Sequence, residues 1–307
     1  MSQYLVHRLL FVVPILLGAS LLVFVVGRLA PGDPVHILFG DMADPRAEAR
    51  ARAELGLDRP IWQQYLRYLG RALRGDLGVS YAFRGRPISA MVGDAFPITV
   101  QVGLSSIVVA VAAGLPLGVI AAVYRGSAVD RFSRLLALAG MSVPSFVVAI
   151  VFILVLAVQL HLLPVGGWGK WQQGVMPVLV LALRPMAYVT RLTRTAMLQV
   201  FDEDYIRTAR SKGLPERLVV LRHTLRNAAI TILTTVGIAL SLALTGGVVV
   251  ESVFGIPGMG RAAVQAVFQR DYPMIQAVVL LYTTIFLGIN LVTDLLYAVM
   301  NPRIRYH

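Results

Sequence analysis

Cysteine is absent from this sequence, and charged residues make up only 14% of it. The first absence excludes disulfides and thiolate metal sites in the chain. The second sets the chain apart from soluble domains, in which about 25% of residues are charged. Hydrophobic residues account for 57% of the 307 positions. The composition therefore predicts an integral membrane protein, and long uncharged runs predict that it is all-α.

Signatures of catalysis are also missing. The one Gly-Lys pair, Gly169-Lys170, lacks the other residues of a phosphate-binding loop, so we expect the chain itself to hydrolyse no nucleotide. The five histidines are scattered at positions 7, 36, 161, 223 and 307, and no Ser–His or paired-Asp arrangement stands out. We therefore predict no catalytic residue, no metal site and no cofactor of this chain's own.

The net charge of +12 would suit a nucleic-acid partner, but the basic residues adjoin apolar runs. Arginine and lysine are concentrated around 125–134, 191–226 and 303–305, whereas the alternate short loops carry only Lys170, Arg261 and Arg270. Such asymmetry marks the cytoplasmic side. It predicts six spans with both termini in the cytoplasm, and no nucleic acid.

The six predicted membrane helices are read from the uncharged runs, each long enough to cross about 30 Å of hydrocarbon. Pro144 is expected to kink the third, and the first is too long for a cleavable signal. The spans lie near 9–27, 95–124, 135–159, 175–190, 227–250 and 272–293. We divide the chain into 1–30 with the first span, an external loop 31–94, a core 95–295 and a cytoplasmic tail 296–307.

A polar, strongly basic segment at 202–227 separates the fourth and fifth spans. Three acids at 202–204 suit the start of a helix, and Gly213 suits a left-handed helix stop. Pro215 suits the first turn of a second short helix. A run this polar cannot lie in hydrocarbon, so it is a surface feature. A basic amphipathic helix lying on anionic lipid is an alternative interpretation.

At these residues the sequence resembles the cytoplasmic "EAA" loop of ABC importer permeases, in its dipeptide/oligopeptide version: DYIRTARSKGL, then LRHTLRNA. The strings PGDP, GGVVVESVFGIPGMGR and NLVTDLLYAVMNPRIRY resemble the same family. Arg207, Thr208 and Arg226 depart from the generic pattern. The resemblance implies that the segment docks in a cleft of a separate ATPase, through Asp204, Tyr205, Arg207, Thr208, Ala209, Lys212, Gly213, Leu214 and Arg217.

The resemblance further implies the type I importer fold in a bacterial inner membrane. The expected partners are a second, similar permease, two ABC ATPase domains that bind ATP and Mg, and an external solute-binding protein. The expected solute is a dipeptide or oligopeptide, with glutathione and nickel complexes as alternatives. An ion-coupled secondary transporter is the rival class, although such a protein has no need of the 202–227 segment.

The loop between the first two spans carries two helical patterns and an aromatic stripe with Tyr65 and Tyr68. A connection this long is usually functional or disordered. We predict that it docks the solute-binding protein through Tyr65, Tyr68 and Asp76. A lid packed on the permease itself is the alternative.

Two charges are candidates for the solute path. Arg184 is expected about 13 Å into the fourth span, where a charge is costly and marks a pathway or a pair. We favour attraction of a solute carboxylate, with an acid of the partner permease as the alternative. Glu251, at the outer edge of the fifth span, is the second candidate.

Overall fold

The computed structural model describes residues 2–29, 35, 45–83, 85–245 and 247–300, and these form helices without a strand. The PGDP string at 31–34 and the last seven residues lie outside the described ranges. The first helices are α1 (Ser2–Leu29), α2 (Pro45–Leu55), α3 (Ile61–Ala72), α4 (Ile88–Val123), α5 (Ala128–Ser142) and α6 (Ser145–Phe152), which continues as a π-helix (Ile153–Gln159).

The remaining helices begin with α7 (Trp171–Phe201) and α8 (Asp204–Ser211). Three consecutive stretches, Glu216–Leu218, a π-helical Val219–Thr224 and Leu225–Thr245, follow without a break and are together called α9. The chain then forms α10 (Val248–Val253), α11 (Met259–Phe268) and α12 (Tyr272–Met300).

Five of these helices are long and apolar enough to cross a membrane, and α5 with α6 makes a sixth span if that bent pair crosses as one. The helices overrun the uncharged runs: α4 begins at Ile88 and α7 extends from Trp171 to Phe201. A charge marks where a chain leaves hydrocarbon, whereas a helix continues into water as long as its backbone is hydrogen-bonded. The sequence therefore predicts the spans but not the helix ends.

The kink predicted at Pro144 is a break of 102° between α5 and α6. Val143 is extended, with φ −82° and ψ 125°, because a residue before proline is disfavoured in the α conformation. Pro144 is extended too, and α6 starts directly after it.

By its contacts the chain forms two compact units, of which one comprises Thr99–Ile256 and the chain from Phe286. In this unit α4 packs closely on α7 through Gly114 and Gly118. The hydroxyl of Thr190 donates to the Gly114 carbonyl at 3.1 Å. A Cβ at Gly118 would lie 2.6 Å from the Thr190 carbonyl oxygen. Small residues four apart permit such close approach between membrane helices.

The other unit comprises Ser2–Ile98 and Pro257–Ile285. Its core brings together side chains from α4, α11 and α12, among them Ile88, Met259 and Met274. The buried Asp271 carboxylate accepts hydrogen bonds from the Ser80 hydroxyl and from the Tyr81 backbone N–H, the latter at 3.1 Å. This fixes the turn after α3 to the start of α12.

Candidate coupling segment and solute pocket

The 202–227 segment folds as the sequence predicts up to Gly213. Helix α8 follows Glu203, which is extended, and ends at Ser211, with Lys212 as its C-cap. Gly213 has φ of 73°, the left-handed conformation that favours glycine. Pro215 then precedes α9. The prediction of a second short helix is wrong, because α9 runs without interruption into the fifth span. Its leucines are spaced as in any helix, so the pattern carries no signal for where a helix leaves water.

A small apolar cluster holds the segment together. Ile206, Ala209 and Val219 are buried against one another, and Phe201 and Leu214 pack on them. We predicted Ala209 as part of the surface that meets an ATPase, but its side chain faces the inside of the segment. The small side chain therefore lets α8 approach α9.

The exposed side of the segment is formed by the other predicted coupling residues. Ion pairs are present here, with Arg207 3.4 Å from Asp204 and Arg210 2.6 Å from Glu216. Exposed pairs of this kind contribute about 0–1 kcal/mol. The surface comprises Asp204, Tyr205, Arg207, Thr208, Lys212, Gly213 and Arg217, while Leu214 is half-buried.

A pocket of about 460 Å³ lies beside the break at Pro144, and Arg184 is one of its lining residues. Helix α7 begins at Trp171, so Arg184 lies about 20 Å along its axis at about 1.5 Å per residue. The side chain is exposed. Among the residues that the structure describes, none forms an ion pair with it. The pocket thus presents one uncompensated positive charge to an otherwise largely apolar wall.

Glu251, the second candidate for the path, is placed differently. Its side chain is 1% exposed, and Thr99 donates a hydrogen bond to its Oε1 at 2.8 Å. Glu251 does not line the Arg184 pocket. The structure therefore does not bring the two candidates together.

The three predicted docking residues of the external loop contact their own chain. The Tyr65 and Tyr68 rings pack on Phe24 of α1, with centroids 5.4 and 5.8 Å away. Asp76 accepts from Arg71 at 2.8 Å, and this hydrogen bond, with one from the Gly78 N–H, holds the pKa of Asp76 below its usual value. Two of the three residues thus anchor α3 to α1.

A buried ion pair escaped the sequence analysis. Asp130, 1% exposed at the start of α5, accepts two hydrogen bonds from Arg194 of α7, at 2.6 and 2.9 Å. It also accepts from the Gly126 backbone at 3.0 Å. The available signal was a single acid among the arginines of a short basic loop. In the described part of the chain, no group of three His, Asp or Glu residues could hold a metal ion.

Comparison with known proteins places this architecture in a family. The model for "Binding-protein-dependent transport system inner membrane component" matches residues 114–306, and the model for the N-terminal part of such components matches residues 1–103. The chain belongs to this family of ABC type I importer permeases. It is therefore a multi-pass inner membrane protein of a transport system that includes a binding protein and ATPase partners.

Individual relatives agree with this assignment. Glutathione transport system permease protein GsiC of Escherichia coli K12 is 42% identical over 306 residues, which cover 100% of both chains. The protein of the same name in Shigella dysenteriae serotype 1 matches equally. The methionine transporter MetNI, in an inward-facing conformation, has a similar fold (TM-score 0.60, 17% identity, 69% of this chain and 96% of that one). A solved amino acid ABC transporter also shares the fold (TM-score 0.56, 18% identity, 68% and 94%).

Proposed function

We propose that this chain is one of two similar permease subunits of an ATP-driven importer of small peptides, glutathione included. The observation that carries the proposal is the exposed Arg184 in the pocket beside Pro144. Two ABC ATPase domains, which bind ATP and Mg, drive the transport, and an external solute-binding protein delivers the solute. The amino and carboxyl ends of the chain lie in the cytoplasm.

The position of Arg184 supports a role in the path. A charge deep within a membrane helix is costly and normally marks a pathway or a pair. No acid in the described residues pairs with it. A pocket of about 460 Å³ falls within the roughly 300–1,000 Å³ range of small-molecule sites.

The chemistry of the pocket favours an anionic solute. A guanidinium binds a carboxylate with two parallel hydrogen bonds, and free peptides and glutathione both carry carboxylates. The relatives named for glutathione transport match the chain over its full length. We therefore place glutathione first among the peptide-like solutes, ahead of nickel complexes. An acid of the second permease is the alternative partner of Arg184.

Arg184→Gln tests this role. We expect the variant complex to assemble but to import labelled glutathione and carboxylate-ended dipeptides more slowly. The matched control is Arg191→Gln, because Arg191 is another exposed arginine of α7 and contacts the Tyr188 ring rather than the pocket. Equal uptake by the two variants would remove Arg184 from the path. If Arg184→Gln instead prevents co-purification of the second permease, the arginine pairs with that subunit.

We propose that the exposed side of the 202–227 segment docks in the ATPase. The cluster beneath it makes α8 a rigid projection joined to α9, and rigid shape rather than exposed charge carries the contact. Gly213→Val should therefore abolish ATPase association, since a β-branched residue at positive φ costs about 1–3 kcal/mol of backbone strain. Arg217→Ala and Arg222→Ala, at exposed positions, should weaken it less.

Gly75→Val is the matched control for strain. Gly75 has φ of 77° and, like Gly213, nothing within 4 Å of an added Cβ, but it lies in the external loop. The measurement is co-purification of the ATPase with each variant from the membrane. Loss of the ATPase in Arg217→Ala and its retention in Gly213→Val would mean that the segment binds through charge alone. If the ATPase co-purifies with all of these variants, the result would favour the alternative that the 202–227 segment lies on anionic lipid.

ABC importers and secondary transporters differ in their energy source, so an uptake assay tests the ATP-driven mechanism directly. Solute uptake into proteoliposomes whose internal solution is controlled should require both ATP and the ATPase subunits. The uptake rate should not fall when an uncoupler is added. Uptake driven by an ion gradient without ATP would contradict the proposal.

A further inference from the structure

Helix α3 carries an exposed apolar stripe. Trp62, Leu66 and Leu73 are 62%, 56% and 81% exposed, and Leu69 lies between them. These positions follow the i, i+4, i+7, i+11 spacing of a single helix face. Exposed apolar surface of this regularity marks a contact with a partner or a membrane.

A second face of α3 is fixed to α1. The Tyr65 hydroxyl is 2.9 Å from the Ser20 hydroxyl and donates to the Leu17 carbonyl at 3.3 Å. The Tyr68 ring stacks on Phe24 with centroids 5.8 Å apart. The position of α3 along α1 is thus defined by named contacts.

Those contacts set the depth of α3. The uncharged run of α1 ends at Arg28, within the membrane span Leu10–Leu29. At about 1.5 Å per residue, Phe24 lies about 6 Å and Ser20 about 12 Å below Arg28. Helix α3 therefore lies beside the half of the α1 span that ends at Arg28, in the leaflet where α1 leaves the membrane.

The third face of α3 is polar and turned the opposite way from the stripe. It is formed by Gln63, Arg67 and Arg71, and Arg74 follows in the turn after the helix. At about 100° per residue, this face lies roughly 125° from the apolar stripe and a similar angle from the face on α1.

The contacts with α1 orient these faces. Tyr65, on the stripe side, reaches the deep Ser20, whereas Gln64 and Arg71, on the polar side, line a cleft of about 110 Å³ with Arg28. The polar face is therefore turned toward the Arg28 end of α1, and the apolar stripe is turned toward the membrane centre.

We propose that α3 is an interfacial helix, whose apolar stripe is covered by lipid acyl chains of the leaflet at which α1 ends. Its arginines are then turned toward the phosphates of the same leaflet. On the side of α1 that meets α3, Leu17 and Leu21 are exposed as well, so the stripe adjoins exposed apolar surface of the membrane helix. This continuity, with the depth set by Tyr65, favours lipid over a solute-binding protein as the occupant.

The absence of cysteine from this chain permits a direct test. A single nitroxide label is attached to an introduced cysteine in the complete transporter, with partner subunits free of reactive cysteine, in vesicles of phosphatidylethanolamine and phosphatidylglycerol. Collision rates with oxygen, which partitions into acyl chains, and with a nickel chelate, which stays in water, are measured at each site. The stripe variants are Trp62→Cys, Leu66→Cys and Leu73→Cys, and the matched controls are Gln63→Cys, Arg67→Cys and Arg74→Cys.

We expect the oxygen-to-nickel ratio to be highest at the stripe and lowest at the controls, repeating with a period of about 3.6 residues. Adding the loaded solute-binding protein should leave the stripe ratios unchanged. Nickel collisions that exceed oxygen collisions at positions 62, 66 and 73 would overturn the proposal, because the stripe would then face water. A fall in both rates there when the binding protein is added would show that a protein covers the stripe, and would equally overturn it.

Discussion

Substituting alanine for Gly118 tests the close packing of α4 on α7. The new Cβ would lie 2.6 Å from the Thr190 carbonyl oxygen and 2.7 Å from the Thr193 Cβ, whereas ordinary contact begins at 3.4 Å. The helices must therefore move apart by about 0.8 Å, the difference between 3.4 and 2.6 Å. Overpacking of this kind costs about 1–3 kcal/mol. Alanine recovers about 1 kcal/mol through its higher helix propensity, so the net loss should be roughly 0–2 kcal/mol.

Gly93→Ala is the control, because Gly93 lies in the same helix and nothing stands within 4 Å of its added Cβ. It keeps the propensity gain without the clash, so the two variants should differ by about 1–3 kcal/mol. That difference corresponds to melting temperatures about 3–10 °C apart. Heating of the detergent-solubilised complex, followed by fluorescence size exclusion, measures it. If Gly118→Ala melts at or above Gly93→Ala, the helices are not packed through Gly118.

Two further changes have defined outcomes. Asp130→Asn leaves the Arg194 guanidinium without its carboxylate in a buried site, so the complex should lose about 3–5 kcal/mol of stability in the same melting assay. The control is Arg134→Ala, because Arg134 is exposed and 3.6 Å from Asp130, and this variant should change the stability by less than about 1 kcal/mol. Equal melting temperatures of the two variants would contradict the reasoning. Deletion of α2 should abolish the stimulation of ATPase activity by loaded binding protein while basal activity persists, and full stimulation would mean that α2 does not dock that protein.

Local pattern predicted the helical class, the spans and the turn at Gly213, because each depends on a few neighbouring residues. Pro144 likewise predicted the break, but its angle of 102° depends on how α5 and α6 pack. The partners of distant residues could not be predicted in this way. Asp130 and Arg194 are 64 positions apart, and no periodicity relates them.

Faces of a helix were harder to assign than the helix itself. The sequence grouped Tyr65 and Tyr68 into one stripe, which the structure packs against α1. The second stripe, through Trp62 and Leu66, was missed because a helix with three distinct faces has no single apolar side. The sequence also carried no sign that Ala209 packs inside the segment, since a small residue suits an internal contact and a partner surface equally well.

The continuity of α9 has a mechanical consequence. From Glu216 to Thr245 the helix is one rod about 44 Å long, at about 1.5 Å per residue. A rod of that length tilted by about 5° about one end moves its other end by about 4 Å, roughly three-quarters of the pitch of a helix. A small tilt imposed at Glu216 would thus move Thr245 by several Å, with no relay of side chains between them. The π-helical stretch Val219–Thr224 lies near the Glu216 end, so a change in its winding would leave most of the length of the rod intact.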